Sequence, residues 1–147
     1  MADSKSLKWI FPFLLFAFVA PLPLAFAEDP PAQIEIVFDA SGSMNEPSGG
    51  TTKLAVAKEA LRSLADEISP DTQVGLRIFG KTAFADYNQS CQDSLLVMPI
   101  KAFDKEKMIA QVEAISAHGS TPLGYSLQLA AQDFSPSSET KKTIVLI

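Results

Sequence analysis

Oxygen-bearing side chains occupy every second position from Asp39 to Ser43, with Ser41 between them. In a tight loop this carboxylate and the two hydroxyls can turn toward one point, and Gly42 permits the backbone angles that such a loop needs. Hydroxyl-rich oxygen ligands suit a hard cation such as Mg²⁺ or Mn²⁺. Because few carboxylates would surround it, the cation would stay electrophilic and accept a further carboxylate from outside. Asp and Ser also cap helices and shape turns, so the spacing alone is weak evidence for a metal site.

A second polar segment, running from His118 to Gly124 as H-G-S-T-P-L-G, enters a predicted helix. Ligands of open α/β sheets bind beyond the carboxyl ends of the strands, where we expect this segment to meet the Asp39 loop. Thr121 followed by Pro122 is also a good helix start, with Thr as the N-cap and Pro as the first helical residue. Thr121 can cap the helix and ligate a cation at once.

The apolar pattern predicts the elements that position these segments. Strand-like segments, rich in β-branched and aromatic residues, cover residues 33–38, 73–79, 94–100 and 143–147, and Pro99 is expected to end the third. Apolar residues spaced by three and four predict helices over residues 53–68, after Asp104 and over residues 122–134. Glycines and Pro47 predict an irregular loop over residues 40–52, and residues 80–93 are also expected to be irregular.

The order β-α-β-β-α-α-β predicts an α/β fold, a doubly wound, mostly parallel sheet with helices on both faces in three layers. No helix separates the second and third strands, which can therefore pair antiparallel at one edge. The continuously apolar segment 143–147 is typical of a strand that is covered on both faces. Because it ends the sequence, we expect the domain to be truncated after its fourth strand.

The segments I-V-F-D-A-S-G-S-M and G-S-T-P-L-G, each next to a predicted helix, resemble a von Willebrand factor A domain over residues 34–147. The metal-ion-dependent adhesion site of that family has the pattern Asp-x-Ser-x-Ser, a distant Thr and a later Asp. The resemblance implies that Ser41, Ser43 and Thr121 ligate Mg²⁺ (or Mn²⁺ or Ca²⁺), directly or through water. Asp39 would act largely through water and by orienting the hydroxyls. The later Asp would follow residue 147, so the implied site is incomplete here.

The function implied by the resemblance is non-enzymatic: a metal-dependent, adhesion-type module whose cation accepts an Asp or Glu carboxylate of a partner protein. A structural domain with a vestigial site is the alternative within the family. A metal-dependent phosphatase of the haloacid-dehalogenase type would need a second acid where Ser41 stands. The Gly-x-Ser-x-Gly motif of serine hydrolases is absent. An EF-hand loop starting at Asp39 would need Gly at its sixth position and Glu at its twelfth, where this sequence has Met44 and Gly50. His118, the one histidine, is expected to have no catalytic role.

Residues 1–27 have the pattern of a secretory signal peptide: two lysines precede the apolar stretch 9–27, which closes with A-F-A. Cleavage there would leave a linker over residues 28–33 before the domain at 34–147, in an exported protein that is periplasmic or extracellular. An uncleaved membrane anchor is the alternative, since spanning a bilayer takes roughly 20 residues. Pro21 and Pro23 would disturb such a helix.

Charge argues against one class of partner. Removing Lys5, Lys8 and Asp3 with the leader leaves 10 basic and 16 acidic residues, a net charge of −6. No basic cluster occurs in the remaining sequence. Nucleic acid is therefore not an expected partner.

The single cysteine, Cys91, is unusual in an exported protein. It is either a free thiol or paired with a cysteine outside this sequence. Within the resemblance, bacterial exported A-domain proteins of the type labelled calcium-activated chloride-channel-like have a cysteine in a similar loop, which can pair with one after the later Asp. We therefore expect Cys91 of the intact protein to resist thiol labelling until a reductant is added. Free reaction under non-reducing conditions would reject the disulfide.

Overall fold

A computed structural model describes residues 31–136 and 139–147, so the predicted leader at 1–27 lies outside the described residues. The strands are β1 (Gln33–Asp39), β2 (Pro47–Ser48), β3 (Thr51–Thr52), β4 (Gln73–Phe79), β5 (Ser94–Ala102) and β6 (Lys142–Leu146). The helices are α1 (Lys53–Glu67), α2 (Tyr87–Ser90), α3 (Lys105–Glu113) and α4 (Leu123–Asp133). Within the described ranges, no helix is long and apolar enough to cross a membrane.

The central sheet has the strand order β5-β4-β1-β6. Strand β1 is parallel to both of its neighbours, β4 and β6. Strand β5 pairs antiparallel with β4 at one edge. The predicted α/β fold with a mostly parallel sheet and one antiparallel edge pair is confirmed.

Helices cover both faces of the sheet, as the three-layer prediction requires. On one face, α1 and α3 pack on alternate residues of the strands and form the main apolar core, which includes Ile36, Phe38, Leu61, Leu76, Met108 and Val112. On the other face, α4 packs a smaller cluster, with Val37, Phe79 and Ala130 buried. The sheet therefore buries one large apolar face and one small, partly polar face.

Side-chain caps start α1 and α3 where the sequence predicts. The Thr52 hydroxyl accepts a hydrogen bond from the Ala55 backbone N–H at 3.2 Å and caps α1. The Asp104 carboxylate accepts one from the Lys107 N–H at 2.9 Å and caps α3. Each cap satisfies a backbone donor that has no partner within its own helix.

The predicted irregular loop over residues 40–52 is wrong in part. Gly42–Asn45 forms one turn of 3-10 helix, and β2 and β3 form a small hairpin. Gly49 and Gly50, between the two strands, have φ angles of 57° and 90°. Two-residue hairpin turns of type I′ need positive φ at both positions, which glycine adopts without strain. These glycines therefore build a hairpin. In the segment predicted irregular at 80–93, α2 forms one further short helix.

Strand β5 also continues past Pro99, where the sequence predicts its end. Its register with β4 shifts between the pairs Val74–Lys101 and Leu76–Met98, so two residues of β5 face the single residue Gly75. A proline lacks the N–H that a regular ladder uses, and an edge strand with a bulge tolerates that loss. Pro99 therefore marks the bulge and not the end of the strand.

The packing of α1 gives a direct test of the core. Leu61 is fully buried on α1, whereas Val56 on the same helix is 47% exposed. We expect Leu61→Ala to lower the free energy of unfolding by about 2–5 kcal/mol, because it removes buried methyl groups and leaves a cavity. Val56→Ala is the matched control and should stay within about 0.5 kcal/mol of the parent. Urea unfolding followed by circular dichroism measures both, and similar losses in the two variants would contradict this packing.

Candidate metal centre

Asp39 is fixed in place because it ends the central strand. Its backbone N–H donates to the Ile147 carbonyl oxygen at 2.8 Å, and the N–H of the next residue, Ala40, donates to the Phe79 carbonyl oxygen at 2.8 Å. The backbone at the end of β1 is thus hydrogen-bonded to the chain segments on both sides. The carboxylate stands half-buried at the carboxyl end of the sheet.

The loop after Asp39 brings the three predicted oxygen ligands together. The Asp39 Oδ1 atom accepts a hydrogen bond from the Ser41 backbone N–H at 2.7 Å. The Oγ atoms of Ser41 and Ser43 lie 3.1 Å apart and share a hydrogen bond. Ser41 is only 1% exposed, whereas Ser43 is exposed. The cluster of Asp39, Ser41 and Ser43 therefore opens toward solvent on the Ser43 side.

Backbone hydrogen bonds dock the second polar segment against this loop. The His118 N–H donates to the Ala40 carbonyl oxygen at 3.1 Å, and the Gly42 N–H donates to the Gly119 carbonyl oxygen at 2.8 Å. The Asn45 side-chain amide donates to the Ala117 carbonyl oxygen at 2.8 Å. These bonds place the segment beside the Asp39 loop, as the sequence predicts, and the exposed Thr121 follows two residues after Gly119.

Thr121 does not cap α4, so that part of the prediction is wrong. The helix begins at Leu123, its N-cap position is Pro122, and no side chain makes a capping hydrogen bond there. Instead, the Leu123 N–H donates to the Thr121 carbonyl oxygen at 2.8 Å. The Thr121 hydroxyl is therefore not engaged by the helix that follows it.

A third loop, which the sequence did not single out, completes the floor of the site. Gly80 follows β4 directly, as Ala40 follows Asp39 on the neighbouring strand, and its carbonyl oxygen accepts from the Gly119 N–H at 2.8 Å. A side chain on Gly80 would lie 2.8 Å from the Ser41 nitrogen and closer still to the Ser120 oxygen. Gly80 also has φ at 70°, a value that favours glycine. The feature of the sequence that could have identified this loop is a glycine directly after a strand of the parallel sheet.

The donor set suits a hard cation. Three hydroxyls and one carboxylate supply oxygen ligands, the kind that Mg²⁺, Mn²⁺ and Ca²⁺ accept. Across residues 31–136 and 139–147 no group of three His, Cys, Asp or Glu side chains is placed to hold a metal. A cation at this point would therefore depend on serine and threonine oxygens and keep much of its charge uncompensated.

Comparison with known proteins gives one family. A family model described as the von Willebrand factor type A domain matches residues 34–147. The protein YwmD of Bacillus subtilis (strain 168) is 23% identical over 137 residues, which cover 91% of this chain and 61% of YwmD. YwmC of the same organism is 28% identical over 131 residues, covering 82% of this chain and 56% of YwmC. The chain thus spans less than two thirds of the length of either relative.

Solved structures show the same fold. The minor pilin PilB from Streptococcus sanguinis superposes with a TM-score of 0.60 at 18% identity, covering 86% of this chain and 30% of that one. The proximal thread matrix protein 1 from the mussel byssus superposes with a TM-score of 0.55 at 21% identity, covering 80% of this chain and 29% of that one. At these identities the likeness concerns the fold alone.

The close packing at Gly80 predicts opposite effects for one substitution at two glycines. Gly80→Ala should destabilise the protein by about 1–3 kcal/mol, because it strains a left-handed residue and pushes against Ser41. Gly124→Ala meets nothing within 4 Å and lies in α4, so it should stabilise by up to about 1 kcal/mol. Urea unfolding gives both values, and amide NMR shifts of Ser41 and Gly119 should move only in Gly80→Ala. A neutral Gly80→Ala variant would refute the packing of this floor.

Proposed function

The chain belongs to the von Willebrand factor type A domain family, and we propose that it binds a partner protein through a divalent cation at the carboxyl end of its sheet. Domains of this family generally mediate protein–protein interactions and are typically non-enzymatic. In the proposal, Ser41, Ser43 and Thr121 ligate Mg²⁺, and Asp39 acts through water and by orienting the hydroxyls. An Asp or Glu of the partner fills an open position on the cation.

The observation that carries this proposal is the pairing of the two serine hydroxyls. Their Oγ atoms lie 3.1 Å apart, in the loop where the Asp39 carboxylate accepts a hydrogen bond from the Ser41 backbone N–H. Side chains that only shape a turn need not converge on one another. Here they converge at the edge of the sheet where α/β proteins bind ligands.

The chemistry of these ligands favours binding over hydrolysis. Neutral hydroxyls leave the charge of a divalent cation largely uncompensated, so it attracts an external carboxylate strongly. The half-buried surroundings strengthen that attraction relative to bulk water. A phosphatase would instead need a general acid two residues after Asp39, and the residue there is the buried Ser41.

The proposed place of action is outside the cytoplasm, periplasmic or extracellular. Support comes from the basic start, apolar middle and A-F-A end of residues 1–27. Cleavage after Ala27 would release the domain, and retention of the leader would tether it to a membrane.

Metal titration tests the site without knowledge of the partner. We expect the intact protein to bind Mn²⁺, followed by electron paramagnetic resonance, and to release it to excess Mg²⁺ or EDTA. Asp39→Ala and Ser43→Ala should each weaken Mn²⁺ binding by at least about tenfold, the scale on which groups that orient or form a metal site act. Ser43 is exposed, so its loss should spare the fold.

The control is Ser63→Ala, which changes an exposed serine on α1 and should leave Mn²⁺ affinity unchanged. Circular dichroism should show the same helix content in all variants. Equal Mn²⁺ affinity of the parent, Asp39→Ala and Ser43→Ala would reject the site. An intact parent protein that binds no Mn²⁺ would favour a structural domain with a vestigial site.

A further inference from the structure

A buried carboxyl group lies on the face of the sheet that α4 covers. Glu35, in the middle of β1, is 0% exposed. Among the described residues no N–H or hydroxyl group donates to its carboxyl oxygens, and the side chain beside them is the Asp133 carboxylate. Gly75, its neighbour on β4, provides the space, since a side chain there would collide with Glu35 and lie 2.7 Å from Ile100. The packing thus leaves space for a buried acid to which no described basic side chain is hydrogen-bonded.

Arg77, a buried cation close to Glu35, is already engaged. Arg77 of β4 donates to Asp133 Oδ2 from Nε at 3.0 Å and from Nη2 at 2.6 Å. Its Nη1 donates to the Ser94 hydroxyl at 3.3 Å. The Arg77 and Asp133 side chains are only 6% and 14% exposed. Asp133 is the last residue of α4, so this ion pair attaches the end of the helix to the sheet.

Within the described part of the chain, only Asp133 and Arg77 act on the charge of Glu35. Ile144 is its neighbour on β6, and the Lys142 ammonium of that strand donates instead to the Ser135 carbonyl oxygen at 2.7 Å. On β5, Ile100 faces the space at Gly75 and Ser94 binds Arg77, and neither side chain ionises. Among the described residues the cluster therefore holds two acids, Glu35 and Asp133, and a single base, Arg77.

Burial and this surplus of acid together determine the protonation of Glu35. The pKa of Glu35 is raised to about 8, first by burial and then by repulsion from the Asp133 carboxylate and a hydrogen bond with it, against the opposing effect of Arg77. Glu35 is therefore mostly neutral at pH 7. Ionisation of Glu35 at higher pH would place a second negative charge beside Asp133, and no second cation would balance it.

We propose that Glu35, Arg77 and Asp133 form a proton-controlled clamp on the C-terminal end of α4. With Glu35 neutral, Arg77 holds Asp133 and the helix stays docked on the sheet. With Glu35 ionised, the docked state contains an unbalanced buried charge, and detachment of the helix end lets water reach it.

The apolar contacts of α4 are few enough for such a local opening. Only Ser126 and Ala130 of the helix are buried, and Ala131, which the apolar pattern predicts to be buried, is exposed. Segments with few buried apolar contacts open at lower free energy than the core. Docking of α4 therefore depends heavily on its polar end.

The direction of the pH dependence follows from the two protonation equilibria. In the opened state Glu35 is in water and titrates near its ordinary pKa of 4.5; in the docked state its pKa is about 8. The docked state thus holds a proton that the opened state lacks between these two values. The stabilisation of docked α4 by neutral Glu35 is therefore complete below pH 4.5 and is lost as the pH rises to about 8. Each pH unit in this window raises the opening equilibrium about tenfold.

Amide hydrogen exchange of the intact protein tests the clamp. After correction for the intrinsic exchange rate, α4 amides should exchange about tenfold faster per pH unit from pH 6 to 8, and this increase should level off above that range. In Glu35→Gln the corrected rates should be flat. Glu67→Gln, which removes an exposed acid of α1, should behave like the parent.

Two outcomes would overturn the proposal. One is the same corrected slope in the parent and in Glu35→Gln. The other is an equal slope in the amides of β1 and β4, which would indicate opening of the whole domain. A titration of the Glu35 carboxyl carbon by NMR in the parent needs no variant, and a midpoint below pH 6 would also reject the clamp. Asp133→Asn should move that midpoint to lower pH, because Arg77 would then face Glu35 alone.

Discussion

The enclosure of β1 between two parallel neighbours is the constraint on which the candidate site depends. Backbone hydrogen bonds from β4 and β6 hold the strand along its length, and two of them fix Asp39 and Ala40 at its end. The loop that follows has little freedom in where it starts. Its serines therefore start from a fixed position, which lowers the ordering cost of binding a ligand there.

The same strand also determines the difference between the two faces of the sheet. Alternate residues of β1 point to opposite sides, so Ile36 and Phe38 enter the main core while Glu35 and Val37 lie under α4. A strand buried on both sides tends to be apolar throughout, and Glu35 departs from that pattern. Its burial is tolerated because Gly75 makes room and because a neutral carboxyl costs far less to bury than an ionised one.

The sequence predicts the elements well because their signals are local. Apolar residues at helical spacing place α1 and α3, and alternating or β-branched segments place the strands. The prediction errors arise where one short sequence pattern is compatible with two backbone structures. Adjacent glycines such as Gly49 and Gly50 fit a loop or a hairpin turn, and Pro99 fits a strand end or an edge bulge. Only the pairing partner decides between them.

The residues around the candidate site and under α4 also include some that local sequence predicts and some that it does not. The positions of Asp39, Ser41 and Ser43 follow from one short segment, so their convergence is predictable. The roles of Gly80 and Glu35 depend on the register of β1 with β4, which a single sequence does not reveal. Gly80 contacts Ser41 across two strand ends, and Glu35 meets Gly75 only in one pairing of the strands. Long-range register is therefore the information that local patterns lack.

Helix α4 joins the two polar regions of the molecule. Its first turn follows Thr121, next to the Asp39 loop, and its last residue is Asp133, paired with Arg77. Ser41 is buried and the backbone of Gly80 and Gly119 fills the space beneath it. In the proposed complex, a partner carboxylate would therefore reach the cation from the exposed side of Ser43 and Thr121. Since that side includes the start of α4, a change in the docking of this helix would also change the shape of the proposed binding edge.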